Sequence, residues 1–132
     1  MSKSSEASDF EGILIRNRIT SAQSGIISIF GLMFIYNVTV NVADDVHVSW
    51  LKWMRESHIP DVMKTGCFID SQVVKVLYVN DEGHTYSIQY KFLDMSDIEK
   101  YQKEFAPKLQ AEHKEKFGEK TTAFRTLLQV ID

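Results

Sequence analysis

The stretch His58-Ile-Pro-Asp-Val-Met-Lys-Thr-Gly-Cys-Phe68 sets a histidine three residues before a carboxylate, with a proline between them. Proline withdraws an N–H and disfavours the helical region for the residue before it, so the helix leading into His58 is expected to stop or kink at Pro60. Across that bend Asp61 can orient the His58 imidazole as a general base. The same pair also reads as structural, with His58 satisfying carbonyls at one helix end and Asp61 capping the next piece. His113 lies one turn from Leu109 and Phe117 on an apolar helical stripe, which suits either a satisfied core histidine or one turned toward a ligand. Tyr36, Tyr86 and Tyr90 fall on inward strand faces and Trp50 on the inward face of the first helix, where packing and lining a cleft are both open to them. Arg125 follows an inward Phe124, so it is expected on the opposite face of its sheet, paired at an interface or with an anion.

Other chemistry is poorly supplied. The histidines at 47, 58, 84 and 113 form no His-x-His or His-x3-His pair. His47 and His58 share a helix face but lie roughly 16 Å apart at 1.5 Å per residue, too far to ligate one ion. No glycine-rich phosphate loop or nucleophile elbow appears, so neither a metal nor a cofactor is expected. Cys67 is the single cysteine, so no internal disulfide can form; it reads as a small buried hydrophobe at a strand start. A net charge of −3 removes the electrostatic case for a phosphate backbone. The apolar run from Gly25 to Tyr36 falls short of the roughly 20 residues a membrane helix needs. A cytoplasmic protein that binds neither nucleic acid nor membrane is the expectation.

The elements that must position these side chains are legible from periodicity. Phe34 to Val42 alternates, with Phe34, Tyr36, Val38, Val40 and Val42 on one face and Ile35, Asn37, Thr39 and Asn41 on the other, which predicts a half-buried strand. Val46, Trp50, Trp53, Met54 and Ser57 follow the spacing of one helical face, predicting a helix to about Ile59 and a short second piece closed by Gly66. Val73 to Val79 is rich in β-branched residues, and Asn80-Asp-Glu-Gly83 signals a hairpin into a cleanly alternating strand, His84 to Phe92. Ser96 and Glu99 suggest a capping box for a helix whose stripe runs Ile98, Tyr101, Phe105, Leu109, His113 and Phe117, kinked at Pro107 and closed by Gly118. Thr121 to Val130 reads as a last strand. The order β-α-β-β-α-β is an α+β, ferredoxin-like arrangement: a four-stranded antiparallel sheet with two helices on one face.

The sheet's other face mixes Asn37, Thr39, Ser87 and Gln89 with Ile35 and, depending on register, Leu77. It is too apolar for solvent and too polar for a sealed core, and a second copy packed sheet to sheet would account for both features. Aromatics that stack RNA in modules of this strand order would lie on that face, whereas here they fall on the side expected under the helices. Residues 1–32 carry no matching period and read as an N-terminal extension, poorly ordered or a mis-assigned start with Met33 the natural one; residues 33–132 read as a single domain.

The blocks MFIYNVTVNV, WLKWM, HIPDVMKTGCF, YSIQY, YQKEFAPKLQAEH and AFRTLL are similar to the bacterial domain-of-unknown-function family numbered 4286. More distantly, His58-x-Pro60 followed by Gly66 resembles a signature of EthD-like and stress-responsive members of the dimeric α/β-barrel superfamily. That resemblance implies a homodimer whose sheets close into a barrel, with a ligand cleft between helices and sheet, and transfers no activity. His58 would then sit at the rim of the cleft, with Tyr36, Trp50, Tyr86 and His113 as its ligand-binding walls. The superfamily's haem-degrading arrangement does not carry over, because both tryptophans sit on the first helix. Two readings remain open: a small organic molecule bound in the cleft, with metal-free acid-base chemistry by His58 and Asp61, or a non-enzymatic dimeric binding or assembly module.

Overall fold

In the computed structural model residues 32–78 and 82–132 are described. The expectations for residues 1–31, and for the first half of the Asn80–Gly83 turn, lie outside these residues. β1 (Phe34–Val42) buries Phe34, Tyr36, Val40 and Val42 on one face, as its alternation requires. The chain then enters a helical rod made of α1 (His47–Trp53), a π-helical turn (Met54–His58) and α2 (Ile59–Lys64).

The rod does not stop at Pro60. Ile59 keeps helical angles (φ −62°, ψ −44°) and donates its N–H to the carbonyl of Met54, five residues back. In a regular α-helix the Pro60 ring would meet the carbonyl of Glu56, and one extra residue in the preceding turn relieves that clash. The expected break is therefore a widened turn within a continuous right-handed path. Gly66, at φ 77°, then ends the helix in the left-handed conformation.

β2 (Asp70–Lys75) is shorter than the β-branched run suggested, leaving Leu77 and Tyr78 beyond the ladder and exposed. It pairs with β3 (His84–Phe92). The second rod repeats the design of the first: α3 (Met95–Lys100), a π-helical turn (Tyr101–Phe105) and α4 (Ala106–Phe117), with Ala106 donating to the Tyr101 carbonyl just before Pro107. Its cap is Asp94 rather than a Ser96–Glu99 box: the Asp94 carboxylate accepts the Ser96 N–H at 2.9 Å. β4 (Thr121–Gln129) closes the chain order β-α-β-β-α-β, and the antiparallel sheet runs β2-β3-β1-β4. This is the ferredoxin-like α+β fold, with both rods packed on one face over a core in which Trp50, Ile88, Phe92, Met95 and Ile98 are fully buried.

The opposite face carries a polar ladder. Ser87 donates to Asn37 Oδ1 at 2.5 Å, Asn37 Nδ2 to Thr39 at 3.1 Å, and Gln89 Nε2 to Ser87 at 3.2 Å. Beside it stand Phe124 and Leu128, opposite Thr39 and Ile35 in register and 62% and 41% exposed.

Candidate functional site

Between the rods and the sheet lies a cleft of about 60 Å³. Its floor is β1, β3 and β4 through Tyr36, Val38, Val40, Ile88, Tyr90, Ala123 and Arg125; its walls are Met54 and His58 from the first rod and Tyr101, Gln110 and His113 from the second.

Arg125 is not where its neighbour suggested. β4 pairs with β1 so that Arg125 stands opposite Val38 and Phe124 opposite Thr39. Directly paired residues share a face, so Arg125 points under the helices and Phe124 to the open side. The inference from Phe124 failed because β4 carries apolar residues on both faces, Leu127 inward and Phe124 and Leu128 outward, leaving its parity unmarked.

The two cleft histidines are built differently. Trp50, completely buried, donates its indole N–H to His113 Nε2 at 2.9 Å. This assigns His113 the tautomer with its proton on Nδ1. Burial, then the nearby Arg125 charge, pushes the His113 pKa below its ordinary value. His58 packs on Trp53 with ring centroids 5.1 Å apart and meets His113 edge-on at 5.8 Å. Burial is the main reason its pKa is lowered to about 4; His113 and Arg125 add to the effect and Asp61 opposes it. Both imidazoles are thus neutral at pH 7.

Two polar atoms in the cleft have nothing to bond. His58 Nδ1 and Arg125 Nε are the buried side-chain nitrogens without a hydrogen-bond partner among the described residues. Tyr90 and Tyr101 have phenol pKa values pushed up by burial and stay protonated.

The sequence-expected site residues therefore separate. Tyr36, His58 and His113 line one cleft. Trp50 lies behind it, holding His113 without lining the cavity. Tyr86 packs on the other side of Trp50, ring centroids 5.5 Å apart, with its hydroxyl at 2.5 Å from His47 Nε2. Asp61 is exposed, makes no hydrogen bond to His58 and lines an outer groove with Lys64 and Thr65, so it reaches the imidazole through its field alone. Tyr101, Gln110 and Arg125 complete the cleft without having been expected there.

A second histidine pair is a product of the fold. His47 and His84 stack at 3.7 Å, with His84 Nε2 at 2.9 Å from Asp44 and Nδ1 at 3.4 Å from Lys75 Nζ. Among the described residues no group of three or more His, Cys, Asp or Glu side chains could hold a metal ion, and no helix is long and apolar enough to cross a membrane.

This architecture is that of a ferredoxin-like domain with a cleft beneath its helices. Residues 33–131 match the model of the family described as a domain of unknown function, DUF4286, and the chain belongs to that family. No curated protein matches it. Among solved structures it is similar to an ethyl tert-butyl ether D (EthD) family protein from Bacillus halodurans (TM-score 0.55, 8% identity, 70% of this chain and 96% of that one). It is also similar to a monooxygenase candidate from Shewanella loihica (TM-score 0.51, 13% identity, 78% of this chain and 98% of that one). At such identities the likeness establishes the fold alone.

Proposed function

We propose that this domain binds a small organic molecule in the cleft between rods and sheet, and that His58 serves there as a metal-free acid-base group. His113 and Tyr36 shape the site and Asp61 biases His58 electrostatically. The observation that carries this reading is His58 Nδ1, buried at the cleft wall with no partner among the described residues, since an unmatched polar nitrogen costs roughly 1–3 kcal/mol that a bound ligand would recover. A cavity of about 60 Å³ suits a molecule of a few heavy atoms, well below the roughly 300 Å³ at which drug-sized pockets begin.

The polar ladder of the open face, flanked by Phe124 and Leu128, supports a homodimer joined sheet to sheet. Cys67, free and buried, suits a reducing, cytoplasmic setting. A second reading, an assembly module without a reaction, is favoured by the Trp50–His113 bond, which alone explains why His113 is there.

Histidine-detected NMR separates them. Adding a set of small acids, amides and phenols should move the His58 and His113 ring resonances together, and His58→Gln should abolish the response without lowering the melting temperature or dimer mass at pH 7.5. A set that leaves both rings untouched, or a His58→Gln variant that melts early at that pH, would place these residues in the scaffold.

A further inference from the structure

We propose that Arg125, with His58 across the cleft, forms an anion subsite, and that the molecule bound there is a small monocarboxylate with an apolar body. The inference rests on the cleft reading above and names its ligand class. Its first support is a charge imbalance. The chain has 18 acidic and 15 basic residues, yet among the described residues no carboxylate lines the cleft, whose fixed charge is the Arg125 guanidinium.

The second support is that this guanidinium carries an unmatched N–H and has no counter-charge beside it among the described residues. Among the described residues Arg125 makes no ion pair, and its Nε is buried with nothing to bond. A half-buried cation held without a partner is costly unless something external supplies the counter-charge. Placing it on the helix-facing side of β4, opposite Val38, is a choice of register that an apolar residue would satisfy at less expense.

The third support is the shape of the complement that this guanidinium calls for. Guanidinium Nε and its neighbouring N–H form a fork matched to a carboxylate's two oxygens. The Gln110 amide lines the same cavity as a further donor, and so does the His58 Nδ1 edge in the tautomer that carries its proton there. Much of the remaining wall is hydrocarbon: Val38, Val40, Ile88 and Ala123. A fully hydrated oxyanion gains nothing from such a wall, whereas the short chain of a carboxylic acid does. The limited volume restricts the acid to a few carbons.

The test compares butyrate, butyramide and inorganic phosphate against the full chain by NMR titration of the Arg125 Nε–H and histidine resonances. Butyrate should bind at least about tenfold more tightly than butyramide, the size of one charge-assisted hydrogen bond, and Arg125→Met should erase that preference. Equal binding of butyrate and butyramide overturns the anion subsite and leaves the cleft reading standing. Neither ligand perturbing the cleft overturns both. Phosphate outcompeting butyrate overturns the carboxylate assignment. As a control on folding, Arg125→Met should melt at or above the wild-type temperature, because a methionine removes an unmatched charge; an early-melting variant would make the guanidinium structural and sink the proposal.

Discussion

The sharpest consequence of the cleft's electrostatics is that acid should attack this fold through His58. In the folded chain its pKa is about 4, against an ordinary 6.5 once unfolded. Between those values the unfolded chain holds a proton on His58 that the folded chain refuses, so stability rises with pH across the window and falls as pH drops through it. Above pH 6.5 both states are neutral and the residue contributes no pH dependence. Each pH unit within the window is worth about 1.4 kcal/mol, so at pH 4.5 the deficit reaches about 2.5 kcal/mol. His113 is shifted the same way by burial and adds to the loss, while Asp61 opposes it at His58. Urea melts of wild type and His58→Gln at pH 7.5 and 4.5 isolate the term. The two proteins should be nearly equal in stability at pH 7.5, and on moving to pH 4.5 the variant should lose about 2.5 kcal/mol less than the wild type. Equal losses would mean that His58 is protonated in the folded cleft, and the argument from desolvation would fail.

Trp50→Phe keeps most of the buried volume but removes the donor to His113 Nε2; a cost of roughly 1–3 kcal/mol in chemical denaturation is expected, with a change in the His113 ring nitrogen shifts. Gly83→Ala should destabilise more than Gly66→Ala in thermal melts. Both have positive φ, worth about 1–2 kcal/mol, but a Cβ on Gly83 would stand 2.5 Å from the Val42 carbonyl oxygen while one on Gly66 meets nothing. On the proposed sheet-to-sheet homodimer, Phe124→Asp should convert dimer to monomer in sedimentation equilibrium while leaving far-ultraviolet circular dichroism unchanged, and an unaltered mass would remove Phe124 from any interface.

How much of this was readable depended on whether a pattern had one apolar face or two. β1 and β3 alternate strictly, so their faces, their pairing and the side taken by Tyr36, Tyr86 and Tyr90 are legible in the sequence. β4 has apolar residues on both faces, and a one-residue error in parity moved Arg125 from the cleft to the open side. The His58–Asp61 pairing was inferred from a bend that the rod does not make, so the two side chains diverge, one to the cleft and one to solvent. The His47–His84 stack had no local trace, because β3 and α1 meet only through the fold. Gln110 was missed in the cleft because a regular helical stripe, extrapolated through Pro107, does not contain the residue inserted before it; Tyr101 was on that stripe, but the stripe does not tell core packing from cleft lining.

That inserted residue links proline, helix and site in both rods. Each π-helical turn ends two residues before a proline, and in each the buried positions jump by five, from Met54 to Ile59 and from Tyr101 to Ala106, where a regular helix would step by three or four. The jump rotates the C-terminal part of each rod relative to its N-terminal part. In the first rod it gives the core position to Ile59 and leaves His58 at the edge of the stripe, beside Trp53 and facing His113. In the second it seats Ala106 in the core where a regular stripe would put Phe105, and brings Gln110 to the cleft beside His113. Polar groups from two separate rods are thereby aimed at one small cavity above Arg125 without either rod breaking its backbone path. The proline beside His58 is the local cause of this geometry: by making the ordinary turn too tight, it sets the imidazole at the cavity wall.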